Sequence, residues 1–282
     1  MTYTLRTLLL AALIFSPAMA SAHQPRIVEG SAITVTDPEI SKAYYATLQG
    51  SPHVYHISSA TPFHLYVNIL VPDIVGQRTD VVAEVIDLAK PDKPLAVLGG
   101  TQDTWKQFFE PFGYDSYLMG SEYSVDATAG NYDVRVSSPK NDTLYSLAIG
   151  EIEMFDAKEG MNALAVIPAI KRDFFRESPA SFILSPFGFG QVIGLFLAAF
   201  VFGFAYRFLL KKFASKKAHG RPRNIGASDR WLRAGLGVIL FVIAITTSWS
   251  PILLFASGFC FFEAIFSWCG LYAAMGKSSC PV

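Results

Sequence analysis

Cysteine is almost absent from this 282-residue sequence, which holds three, Cys260, Cys269 and Cys280, all near its end. None lies between His23 and Ala180, so no disulfide framework holds that region together. A stretch of about 150 residues buries enough surface to fold without such staples. Helical periodicity is missing from Arg26 to Ile152, which leaves an all-β domain as the expectation there. Motifs that carry chemistry are missing as well. The chain shows no Ser-His-Asp order, no paired-carboxylate motif, no phosphate loop and no D-x-D-x-D-G calcium run. Neither an enzyme nor a cofactor is expected.

Each part of the chain is also short of one sign of charge. From His23 to Ala180 there are 21 acids against 12 bases; from Ser181 onward there are 10 bases against 2 acids. Such an asymmetry marks a boundary. The basic excess flanks long apolar runs, so it predicts the margins of membrane helices and not a nucleic-acid partner.

What is present begins with a leader. Arg6, the run "TLLLAALIF" and Ala20-Ser21-Ala22 have the order of a secretory signal, expected to span 1–22. Residues 23–155 are then expected outside the cytoplasm. There "HVYHIS", "FHLYVNILV", "DVVAEVID", "YDVRVSS" and "LYSLAIGEI" alternate like strands, separated by turn clusters such as "QGSP" and "SPKND". Short antiparallel strands at this spacing predict a β-sandwich or partly open barrel. The ending "DATAGNYDVRVSSPKNDTLYSLAIGEIE" resembles the last hairpin of pre-peptidase-type jelly-roll domains, which implies a jelly-roll-like sandwich.

Three groups in this region are candidates for function. Thr104–Tyr123 holds seven aromatics, of which Trp105, Phe109, Tyr114 and Tyr117 are the candidate ligand-binding residues, because a flat apolar ring with a polar tip suits a wet interface. Phe108, Phe109 and Phe112 equally suit a core. His23, His53 and His64 are the candidate metal ligands, though imidazoles on strands are more often structural, and no metal is expected. His53 and His56, three apart, should face opposite sides of a strand, and the row His64, Tyr66, Asn68 reads as a solvated face. Asp115, Glu122, Asp126, Asp133 and Asp142 read as an acidic surface.

Residues 156–180 change period and form a linker helix that Pro168 should break or kink. With Lys171, Arg172 and Arg176 beside Phe174 and Phe175, the segment reads either as lying on lipid headgroups or as a connector packed on the sandwich. The span 181–211 follows; Phe187–Leu210 alone reaches about 36 Å, enough for a hydrocarbon core of about 30 Å. Gly190, Gly194 and Ala198 recur every four residues, as do Ala199 and Gly203, a spacing that predicts close helix packing, within the chain, in a homo-oligomer or with a membrane-protein partner. The loop 212–230 is crowded with Lys and Arg and is therefore expected in the cytoplasm.

In the last sixty residues, "RNIGASDRWLRAGLGVIL", a second apolar run and "CGLYAAMGKSSCP" resemble the two-helix transmembrane domain of YgaP-like inner-membrane rhodaneses. That family opens with N-x-G-x-x-D-R-x-x-R and closes with C-P-L-Y, a glycine and a second cysteine. The matching positions are Asn224, Gly226, Asp229, Arg230, Arg233, Cys269, Leu271, Tyr272, Gly276 and Cys280, with Gly270 where the family often has proline. The resemblance implies a transmembrane hairpin at 231–282 with both ends cytoplasmic, and hence three spans in an inner membrane. No rhodanese domain is attached, so no sulfurtransferase cysteine carries over.

From the residues alone, Ser228 or Asn224 is expected to cap the first helix of the pair and Ile252–Met275 to form the second. Glu263 lies deep in the apolar run and Arg233 reaches a similar depth, so the two are expected to pair. Cys260 and Cys269 are too far apart on a continuous helix for a disulfide, whereas Cys269 and Cys280 are the candidate redox pair if the tail folds back. The functional expectation is a membrane-anchored, non-enzymatic binding module with an unknown ligand. The alternatives are thiol redox or sulfur handling through Cys269 and Cys280, and an accessory subunit of a larger membrane complex.

Overall fold

The computed structural model describes residues 23–213 and 223–280. The expected signal segment, the centre of the basic loop and the last two residues lie outside them. The chain divides into two compact units, one ending at Ser181 and the other beginning at Phe182.

The first unit is a two-sheet sandwich. Its strands are β1 (Gln24–Ile27), β2 (Ala32–Val35), β3 (Lys42–Thr47), β4 (His53–Ser59), β5 (Phe63–Pro72), β6 (Val82–Asp87), β7 (Ala96–Gly99), β8 (Lys106–Glu110), β9 (Asp115–Ala127), β10 (Gly130–Ser137) and β11 (Leu144–Ile149). One sheet is ordered β1-β3-β11-β5-β9-β8 and the other β2-β4-β10-β6-β7. Pairing is antiparallel except for β1 with β3 and β2 with β4. The expectation of antiparallel strands fails there because β1 to β4 alternate between the two sheets, so no hairpin links either pair.

Alternation along the strands fills the space between the sheets. Leu65, Val67 and Ile69 of β5 face inward, opposite Val134 and Val136 of β10, with Tyr145, Leu147 and Ile149 of β11 beside them. Polar tips in this core are paired: Tyr145 shares its hydroxyl with His53 Nδ1 at 2.7 Å and with Tyr55 at 2.8 Å. Burying each large side chain contributes on the order of 1.5–3 kcal/mol.

β11 is buried on both faces, because a helix covers the outer side of its sheet. This is α1 (Ala157–Ala169), which starts where the Asp156 carboxylate accepts from the Glu159 N–H. Glu159 also meets Arg26 of β1 at 2.8 Å. Pro168 sits in the last turn of α1, and the chain continues into a π-helical turn, Ile170–Phe174. Ile170, Phe174 and Phe175 pack on Leu70, Tyr117 and Ala148 of the six-stranded sheet. Of the two readings of this segment, Lys171 fits the connector packed on the sandwich and not a headgroup contact: it is fully buried, with Asp115 beneath the turn as its countercharge.

The second unit is helical. Ser185 caps α2 (Pro186–Phe213), accepting from the Gly188 N–H at 2.9 Å, with Pro186 in the first turn. Then come α3 (Ala227–Thr246), α4 (Pro251–Phe266) and a short α5 (Gly270–Met275). Among the described residues only Pro186–Lys212 is long and apolar enough to cross a membrane; α4, with 16 residues, falls short of the length required. Of the three expected spans, this one is shown. The second helix of the hairpin was expected to run unbroken to Met275, but Ser267 adopts a left-handed conformation, φ 52°, and ends it. Neither expected cap of α3 is used: its N-cap is Gly226, because the Asn224 amide is engaged elsewhere.

Candidate functional site

The outer face of the six-stranded sheet carries a cavity of about 190 Å³. Alternation builds it, since every inward residue of β3, β5, β9 and β11 has an outward neighbour. Tyr45, Tyr66, Asn68, Ser146 and Tyr117 thus share one surface, and Ile167 and Ile170 of the covering segment close one side. The other side is the β8–β9 hairpin, whose turn "EPFGYD" places Glu110 and Asp115 together.

That turn is tightly specified. The Phe112 and Gly113 N–H groups donate to the two Glu110 carboxylate oxygens at 2.6 Å each. A Cβ on Gly113 would lie 2.3 Å from the Asp115 carboxylate, so a side chain there would have to push that carboxylate aside. Tyr114 then adopts a positive φ of 63°. Lys171 reaches in from the π-helical turn, donating to Asp115 at 2.5 Å and to the Tyr114 carbonyl at 3.2 Å.

The electrostatics follow from this burial. Burial pushes the Asp115 carboxyl up to about 7, against the pull of the Lys171 ammonium. It raises Glu110 too, against the two N–H donors. Tyr45 and Tyr117 share a hydrogen bond of 2.7 Å, and burial lifts both phenols well above their ordinary range, so neither ionises near neutral pH.

Of the four aromatic candidates, the structure brings only Tyr117 to this cavity. The Trp105 ring packs against the sandwich core and its indole N–H donates to the Gly100 carbonyl at 3.0 Å. Phe109 and Tyr114 form a separate exposed edge-to-face pair, 5.1 Å between centroids. The row His64, Tyr66, Asn68 is only partly solvated, since Asn68 is buried and Tyr66 lines the cavity. The acids do not form one surface. Asp126 holds His64, Asp133 holds His56 and Asp142 holds Arg78, while Asp115 is buried. His23 bonds the Ser41 hydroxyl at the cavity's rim, and His53 is in the core. Among the described residues no three His, Cys, Asp or Glu side chains are grouped to hold a metal.

Sequence reading missed Tyr45, Glu110 and Lys171. The one available signal was "EPFGYD", a tight turn flanked by two acids.

In the helical unit the polar residues converge on Arg233. It pairs with Glu263 across α3 and α4, takes Asp229 at 3.2 Å, and stacks its guanidinium 5.3 Å from the Tyr272 ring centroid. The Asn224 amide bonds the Cys269 carbonyl at 2.9 Å and accepts its N–H at 2.7 Å. Ser279 donates to Asp229, and a Cβ on Gly226 would lie 2.4 Å from the Ser279 carbonyl. All three cysteines are free thiols, and Cys269 is buried. The small-residue stripe that packs within the unit contains Ala199, against Gly258, and Gly203, against Phe262. Gly190, by contrast, has open space around it, Gly194 is partly exposed and Ala198 is exposed.

Comparison with known proteins bears on the two units differently. No curated protein matches the chain. Among solved structures, the pre-peptidase C-terminal domain of a collagenase from Bacillus anthracis is similar over 46% of this chain and 95% of its own, at 9% identity and a TM-score of 0.25. A CBM35 module from Cellvibrio japonicus Abf62 is similar over 36% and 68%, at 14% identity and a TM-score of 0.22. A β-glucosidase from Paenibacillus barengoltzii is similar over 45% and 13%, at 10% identity and 0.21. At these scores the sandwich rests on its own strand pairing. Residues 221–282, about a fifth of the chain, match the family described as "Inner membrane protein YgaP-like, transmembrane domain", and they follow the β-sandwich in the sequence.

Proposed function

We propose that this protein is a membrane-anchored binding module: the sandwich faces away from the cytoplasm, three helices hold it in an inner membrane, and it acts without catalysis. The observation that carries the reading is the cavity on the outer sheet face, where phenols, an amide and two carboxyls converge beside apolar rings. Concave sites of mixed character are the usual form of a binding site. The outward orientation is supported by the leader at 1–22 and by the basic loop 212–230, both features of sequence. Spans two and three are supported by the family match and by Arg233 satisfying Glu263 within the pair. That pair reads as a structural clasp, because a relay needs several groups in series. The thiol alternative is weakened by Cys269, which is buried and fixed at its backbone by Asn224.

The test uses native mass spectrometry of the full chain in lipid nanodiscs, after exposure to a small-molecule extract of the source cells. Ala148, small and buried on the cavity floor, is replaced by phenylalanine to fill the space. A small molecule retained by the wild type and lost in a folded Ala148→Phe variant supports the reading. No retained molecule, or one that the variant keeps, refutes it.

A further inference from the structure

We infer that the cavity takes a small organic cation, an amine or quaternary ammonium, with its charge beside Glu110 and its carbon groups against Tyr45, Tyr117 and Phe108. This rests on the binding-module reading and names its ligand class.

Charge balance is the first support. Two carboxyls line the cavity, and the single nearby ammonium, Lys171, is committed to Asp115 and to a backbone carbonyl. Glu110 meets only two backbone N–H groups, and an ionised carboxylate offers about four acceptor sites. Among the described residues the cation acting on it is Lys171, already committed to Asp115, and burial penalises its charge. No lysine or arginine is among the described residues lining the cavity, so an anion would find no countercharge. An ammonium beside Glu110 would supply a partner not shared with Asp115.

The rings are the second. Tyr45, Tyr66, Tyr117, Phe108 and Phe112 all border the space. An aromatic face attracts a cation, more strongly where water is excluded, and accepts alkyl groups as well. Rings with one carboxylate therefore suit an alkylammonium better than a neutral polyol, which would need more acceptors and donors. Size is the third. About 190 Å³ lies below the roughly 300 Å³ at which pockets for drug-sized ligands begin. The occupant is a small molecule.

The experiment is saturation-transfer NMR and titration on the full chain in nanodiscs, with choline, ethanolamine, trimethylamine and putrescine as probes. The uncharged isostere of choline, 3,3-dimethylbutan-1-ol, serves as control. At least one amine should bind saturably, and if that amine is choline, at least tenfold more tightly than the alcohol. Glu110→Gln, which keeps one of the two acceptors that hold the turn, should weaken the amine at least tenfold in protein that still melts cooperatively. Binding by none of the four amines, or equal binding of choline and the alcohol, overturns the inference. If Glu110→Gln does not fold, Ala148→Phe must abolish amine binding instead, and retention of binding overturns it. The two failures separate cleanly. A neutral or anionic molecule captured from extract and lost in Ala148→Phe refutes the cation while leaving a binding module in place.

Discussion

At the scale of single residues, the Lys171–Asp115 contact decides how the linker is held. Burial raises the Asp115 carboxyl from its ordinary 3.8 to about 7. A carboxyl raised on folding contributes stability that is complete at low pH and is lost as pH climbs through its folded value. In Lys171→Met the opposing ammonium is gone, so the carboxyl moves higher still and an uncompensated charge is buried at alkaline pH. The titration of Asp115 then costs up to about 1.4 kcal/mol more at pH 8, one pH unit above its wild-type value, and close to nothing at pH 5, where Asp115 is protonated. Denaturant midpoints of the full-length protein at the two pH values check this, and equal costs at both contradict it. A second residue-scale prediction concerns Arg233. Arg233→Met leaves Glu263 without its cation inside the helical unit and should lower the detergent-solubilised melting temperature, with Glu263→Gln in the same chain restoring most of the loss. A double variant no better than the single one would contradict the clasp.

At the scale of elements, the departure from the family at Gly270 has a physical partner. A Cβ there would lie 2.0 Å from the ring of Tyr206 on α2, the helix that precedes the YgaP-like part. Any side chain at this position would meet the same ring. Gly270→Ala is expected to cost about 1–3 kcal/mol by overpacking, and less in a Tyr206→Leu background. Thermal midpoints of the four proteins give the coupling, and additive effects would deny the contact. Strands β1–β3 and β7–β9 were not picked out from the sequence, whereas β4, β5, β6, β10 and β11 were legible from alternation between turns marked by glycine, proline or asparagine. The end of α4 was not, since "FSWCG" places Ser267, not a glycine, in the left-handed position. Tyr66 and Asn68 looked solvated because a polar outer row reads the same whether water or a helix covers it. The cavity was illegible for a related reason: six strands and a distant helix assemble it, and no local pattern joins Tyr45 to Glu110 or Lys171.

At the scale of the molecule, the composition asymmetry was the most informative feature of the sequence. The charge balance changes sign at Ser181, and the structure divides into two compact units between Ser181 and Phe182. Resemblance carried the last fifth of the chain, where Asn224, Asp229 and Arg233 prove to be the residues that tie the two ends of the hairpin together. Everything proposed for the cavity depends on the side of the membrane to which it opens. Val75, 99% exposed in the loop after β5, is a site for a reporter cysteine in a sandwich that has none of its own. The most direct measurement is labelling of Val75→Cys in intact spheroplasts with a membrane-impermeant maleimide. The account predicts full labelling before lysis, with the wild type unlabelled until lysis; labelling of Val75→Cys only after lysis would place the sandwich in the cytoplasm and contradict it.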